Sequence, residues 1–144
     1  MLREKLRNRK GFTLIEIIVV IVILAVLMAV AVPSVMSYMN EGSKARYDTV
    51  ARAVLVRSQT EYAKAVANGN SAGDAKTAAI EAVNNATFTG ANVNVSAINL
   101  TGSDHDSAED RDVSSVVMNI GLDDKDASSG KQVTITANKK VEVS

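Results

Sequence analysis

The side chains equipped for chemistry are few and unevenly placed. The chain of 144 residues has one histidine and no cysteine, so a nucleophile–base pair or a zinc centre has almost nothing to build on. It contains no G-x-S-x-G, H-E-x-x-H or Walker A stretch, and it reads as a non-enzymatic protein. The histidine, His105, lies between Asp104 and Asp106 in "DHDSAEDRD", with Glu109, Asp110 and Asp112 close behind. Clustered carboxylates suit calcium, a hard cation that takes oxygen ligands. The spacing departs from the EF-hand loop, however. Ala108 stands at the third ligand position, and Glu109 occupies the place where that loop requires glycine. The cluster reads first as a solvated acidic loop, with calcium as the one cofactor expectation it leaves open.

A further carboxylate stands in an unexpected place. In "RKGFTLIEII" (Arg9 to Ile18), Glu16 precedes an apolar run that continues unbroken from Ile17 to Val32. An ionised carboxylate at the centre of a membrane helix costs about 2.5–3.5 kcal/mol, which calls for a partner or a purpose. The elements around it offer three readings. Residues 1–11 set Arg3, Lys5, Arg7, Arg9 and Lys10 against Glu4, and the positive-inside tendency keeps such a leader in the cytoplasm. Residues 12–36 carry Glu16 as their single charge; as a helix they reach roughly 37 Å, enough to cross a bilayer core. In the first reading this is a secretory signal peptide cleaved within "AVAVP" (29–33), leaving Val32 as the N-terminus. In the second it is a plain anchor whose Glu16 reaches the membrane interface. In the third the chain is cut after Gly11, and Phe12 becomes a new N-terminus. Its amine is then a positive charge at a helix start, where the macrodipole disfavours it, and Glu16 lies close enough along the chain to pair with it. Pairing with the amine of a neighbouring copy would fix the axial offset between subunits, because an unpaired charge in apolar surroundings is heavily penalised.

Pro33, the sole proline, removes one helical N–H and crowds the carbonyl of Ala29, so a kink or local melt is expected over 29–33. Residues 37–67 continue the helix in amphipathic form. Tyr47, Val50, Ala51, Val54, Ser58, Tyr62 and Ala65 recur at spacings of three and four, which marks one helical face. "NGNSAG" (68–73) then ends the helix. Residues 68–144 make a small head. A short helix over "GDAKTAAIEAVNN", with Asp74 placed to cap it, precedes "NVNVSAINL", "SSVVMNIGL", "QVTITA" and "KVEVS", whose apolar alternation predicts about three or four short strands. "ANKK" (137–140) is the expected hairpin turn between the last two, and "GSDHDSAEDRD" and "GLDDKDASSG" are expected as exposed loops. A sheet this small buries too little surface alone, so the amphipathic half of the helix must supply the second layer. The fold class is α+β: a long N-terminal helical spine packed against a small antiparallel β-sheet head. After Gly11 acidic residues outnumber basic ones, and no specific nucleic-acid partner is predicted.

"RKG" followed by "FTLIE" resembles the class III signal of type IV prepilins and related filament subunits. The resemblance covers about residues 9–38 in sequence and extends to the helix-plus-sheet architecture beyond. It implies that a membrane prepilin peptidase cuts after Gly11 and methylates the Phe12 amine, that Glu16 is the glutamate paired with that amine in assembly, and that Pro33 is the proline where filaments of the family loosen. As partners it implies copies of the same chain in a helical filament, the prepilin peptidase, a membrane platform protein and an assembly ATPase. It implies a single-pass precursor in the cell membrane and then an extracellular pilus on the cell surface. Many Gram-negative pilins end in a disulfide-bounded loop; a chain without cysteine is closer to the Gram-positive type. The function implied is that of a structural pilus subunit, in a fibre serving adhesion, twitching motility or DNA uptake. The alternative is a pseudopilin of a type II secretion or DNA-uptake (competence) machine, and some pseudopilins hold calcium in a C-terminal loop.

Overall fold

The structure is a computed structural model and describes residues 11–103 and 107–144, with Glu109 described by its backbone only. Residues 1–10, most of the expected leader, lie outside the described residues, as do Asp104, His105 and Asp106. The chain divides into two compact units, Met1–Gly42 and Ser43–Ser144. Helix α1 (Leu14–Ala67) contributes its first part to one and its second part to the other.

In the first unit α1 is apolar on all sides, and every described residue is exposed. The helix passes through Pro33 without interruption, so the local melt expected over 29–33 is not found. Proline deprives only the Ala29 carbonyl of its usual donor, and the intact turns on either side hold the backbone helical. Next to it, the Ser34 hydroxyl donates to the Val30 carbonyl at 3.3 Å.

In the second unit the expected stripe turns inward. Val50, Ala51, Val54, Ser58, Tyr62 and Ala65 are buried, joined by Leu55, while Tyr47 is half-buried. The helix ends in a Schellman arrangement. Gly69 takes φ +87°, the Asn70 N–H donates to the Ala65 carbonyl at 3.2 Å, and the Gly69 N–H donates to Val66 at 2.9 Å. Glycine is the residue that reaches this left-handed conformation without a Cβ penalty. Helix α2 (Ala72–Asn84) starts at Ser71, not Asp74. The Ser71 hydroxyl accepts the Asp74 N–H at 3.2 Å and donates to the Asp74 carboxylate at 2.7 Å. Asp74 is thus the acidic partner inside the first turn, which the helix dipole favours. Ala75, Ala79 and Val83 form its buried face.

Four strands follow: β1 (Ala91–Leu100), β2 (Val113–Leu122), β3 (Lys131–Thr136) and β4 (Val141–Val143). They pair in sequence order, each antiparallel to the next. This is the meander that short connections produce. The inner face carries Val95, Ile98, Val116, Met118, Ile120, Val133 and Ile135, all essentially inaccessible, and these form one cluster with the buried residues of α1 and α2. Aliphatic side chains of this kind stabilise by roughly 1.5–3 kcal/mol each when fully buried. The outer face alternates to Asn92, Asn94, Ser96, Asn119 and Gln132, as period-two pleating requires. Lys139 at φ 66° turns the β3–β4 hairpin, and the Thr136 N–H closes it on the Lys140 carbonyl at 3.0 Å. Arg46 reaches across to the far end of β2, bonding Asp123 at 2.7 Å and the Gly90 carbonyl at 3.4 Å.

Candidate processing and assembly site

The N-terminal site is built from four residues that follow directly on one another or lie one helical turn apart. Gly11, Phe12 and Thr13 precede the helix, which begins at Leu14. Phe12 is 84% exposed, and an added side chain at Gly11 would meet nothing within 4 Å. The helix start is fixed by a reciprocal pair. The Glu16 carboxylate (Oε2) accepts the Thr13 N–H at 3.0 Å, and the Thr13 hydroxyl accepts the Glu16 N–H at 3.3 Å. The Ile17 N–H donates to the Thr13 carbonyl at 3.3 Å, the first bond of the helical ladder. Thr13 is therefore the N-cap and Glu16 occupies the third helical position, which makes a capping box.

This arrangement supplies a local reason for a carboxylate in the apolar run. Two backbone donors that begin a helix without partners are satisfied, and a negative charge stands at the positive end of the dipole. The signal was present in the sequence as T-x-x-E over Thr13–Glu16. It is a local signal, independent of any pairing of Glu16 with the Phe12 amine or the membrane interface. In the uncut chain the Phe12 nitrogen is a peptide nitrogen, and the partner of Glu16 is Thr13.

Beyond the cap, Leu14, Ile15, Ile17 and the apolar residues that follow to Met39 are exposed. The segment is long and apolar enough to cross a membrane by length and composition. Pro33 lies within this exposed stretch.

The acidic loop is elsewhere, in the head. Asp104 and Asp106 lie outside the described residues, as does the Glu109 side chain. Asp110 accepts a hydrogen bond from the Ser107 hydroxyl at 2.5 Å. Asp112 is tied by its backbone, whose N–H donates to the Thr101 hydroxyl at 2.9 Å and whose carbonyl accepts from the Thr101 N–H at 2.8 Å. Among the described residues no group of three or more histidine or acidic side chains is placed to hold a metal. The loop is pinned to α1 by Tyr62, whose hydroxyl donates to the Ala108 carbonyl at 3.1 Å. Burial pushes the Tyr62 phenol above its ordinary range, with Arg111 pulling it down and Asp112 adding to the rise.

The element order and the sheet define an α+β protein with the pilin fold: a long N-terminal helix, a short second helix and a four-stranded antiparallel sheet. Residues 6–32 match the family described as the prokaryotic N-terminal methylation motif, the class III signal peptide of type IV pilins. The matched span contains Gly11, Phe12, the capping box and the apolar helix as far as Val32. No curated protein and no solved structure matches the chain.

Proposed function

We propose that this chain is a structural subunit of a type IV pilus, processed after Gly11 and polymerised through its apolar N-terminal helix into an extracellular filament. The observation that carries the reading is the junction itself. Gly11, which we read as the residue before the cut, lies within the methylation-type match and two residues before the Thr13 cap of a helix whose apolar residues from Leu14 to Met39 are exposed. Before assembly, residues 12–36 hold the subunit in the bilayer as a single-pass precursor, with the basic leader in the cytoplasm. Removal of the leader by the prepilin peptidase frees the Phe12 amine, which is then methylated. Subunits leave the membrane as their helices pack side by side in the filament core.

Lipid tails are as apolar as valine or isoleucine, so the transfer from lipid to protein yields little hydrophobic energy. Close packing and the pairing of Glu16 with a Phe12 amine supply part of the drive. A membrane platform protein and an assembly ATPase supply the rest. The role is structural throughout and requires no catalysis by this chain.

Mass spectrometry of the mature N-terminus tests the reading. N-methylated Phe12 is expected, whereas a chain starting at Val32 would make it a secreted protein and an intact Met1 a plain anchor. A pseudopilin shares every N-terminal feature and is separated by destination: surface filaments rich in this chain support the pilus, and their absence together with calcium-dependent stability of the head supports the alternative.

A further inference from the structure

The capping box has a consequence for assembly, and it rests on the reading that the chain is cut after Gly11. The Thr13 N–H that bonds Glu16 belongs to the Phe12–Thr13 peptide. A cut between Gly11 and Phe12 leaves that peptide intact, so the cap survives processing. A cut one residue later would turn the capping N–H into the new amine and abolish the box. Among the described residues only Oε2 of Glu16 is engaged. Oε1 has no partner among the described residues, and the charge of the carboxylate is only partly answered.

We propose that Thr13 is a positioning residue for filament assembly. Its backbone N–H holds the Glu16 carboxylate through Oε2. Its hydroxyl, by accepting the Glu16 N–H, fixes the helix start that keeps that N–H and the carboxylate in register, leaving Oε1 as the acceptor for the Phe12 amine of a second copy of this chain. A long flexible carboxylate otherwise has to give up side-chain freedom at the moment of docking. A carboxylate already held through Oε2 at a capped helix start has lost part of that freedom beforehand, which is the benefit of preorganisation. The same box keeps Gly11 and Phe12 outside the helix, so the amine emerges one residue before the cap and not within the ladder.

The test compares full-length native, Thr13→Val, Thr13→Ser and Glu16→Ala chains in the native host, with two readouts: the mass of the mature N-terminus and the yield of sheared filaments. All four chains are expected to begin at methylated Phe12. Glu16→Ala should give no filaments, and Thr13→Val should lower the yield by roughly two- to thirty-fold, the range that loss of an N-cap spans. Thr13→Ser, which keeps the hydroxyl, should restore native yield. Native filament yield from Thr13→Val alongside failure of Glu16→Ala would overturn the positioning role while leaving the filament reading intact. So would a serine variant as defective as valine, because the hydroxyl would then not be the active feature. An uncut Thr13→Val chain would move the residue to peptidase recognition and overturn its role in assembly. If native chains do not begin at Phe12, the processing reading fails and this inference fails with it.

Discussion

The Asn84 carboxamide grips the backbone of Val95 from both sides: its oxygen accepts the Val95 N–H at 2.6 Å and its nitrogen donates to the Val95 carbonyl at 3.2 Å. Val95 lies on β1, which is an edge strand of the sheet. Edge strands present unpaired backbone groups to any other chain with a free edge. One side chain at the end of α2 here takes the place of a neighbouring strand. Replacing Asn84 by alanine strands a partly buried donor and acceptor, at a cost of about 1–3 kcal/mol. Denaturant unfolding of the detergent-solubilised chain should show the loss, and an unchanged midpoint would mean that water replaces the carboxamide at no cost.

Ser58 is fully buried on the inner face of α1, and its hydroxyl has no hydrogen-bond partner among the described residues. A buried hydroxyl left unpaired forfeits its hydration without recompense. Ser58→Ala should therefore raise head stability by about 1 kcal/mol, read as a higher unfolding midpoint. A fall would show that the hydroxyl does find a partner.

Glycine-to-alanine substitution should change sign along the chain. At Gly121 an added Cβ would come within 2.1 Å of the Lys125 carbonyl oxygen, and at Gly130 within 2.1 Å of the Ile120 carbonyl oxygen. Both obstacles are backbone, so the loop after β2 must move, at a cost of about 1–3 kcal/mol or more. At Gly42, inside α1, a Cβ meets nothing within 4 Å, and alanine should stabilise the helix by about 0.5–1 kcal/mol. Thermal unfolding of the three variants decides the matter; a stable Gly121→Ala chain would contradict the close approach.

Lys140 and Glu142 form an exposed pair at 2.8 Å. Their hydrogen bond, reinforced by charge attraction, holds Glu142 below and Lys140 above their ordinary ranges. The sign follows for each. The Glu142 contribution is present above its unfolded pKa and is lost as pH falls through the lowered folded value. The Lys140 contribution is present below its unfolded pKa and is lost as pH rises through the raised folded value. Full exposure keeps the effect on stability small, so the observable is the titration. In Lys140→Ala the NMR titration of Glu142 should move to higher pH, and a curve that stays in place would show that the pair is not populated.

The elements of this protein were legible where the signal is local. Periodicities of three-and-four and of two placed α1, α2 and the four strands, because side-chain direction along a helix or strand is set by backbone geometry alone. The stripe on α1 needed only Leu55 added to it. Local chemistry was legible too but was partly misread. Ser71 and Thr13 are the caps, and each lies three residues before an acidic partner, Asp74 and Glu16 respectively. At Pro33 a kink or a local melt was expected; the helix is continuous through it, so the melt is absent.

The sequence by itself determined the basic N-terminal run, the apolar helix, the position of Glu16 relative to Gly11 and the alternation of the strands. These features depend on residues a few positions apart, whose relative placement the backbone dictates. Only the tertiary structure decided that Asn84 closes the edge at Val95, that Arg46 reaches Asp123 and that Gly121 must lack a side chain. Those relationships join residues distant in the chain or packed by a loop. Their geometry is set by how the sheet and its connections close on the core, which no local pattern contains.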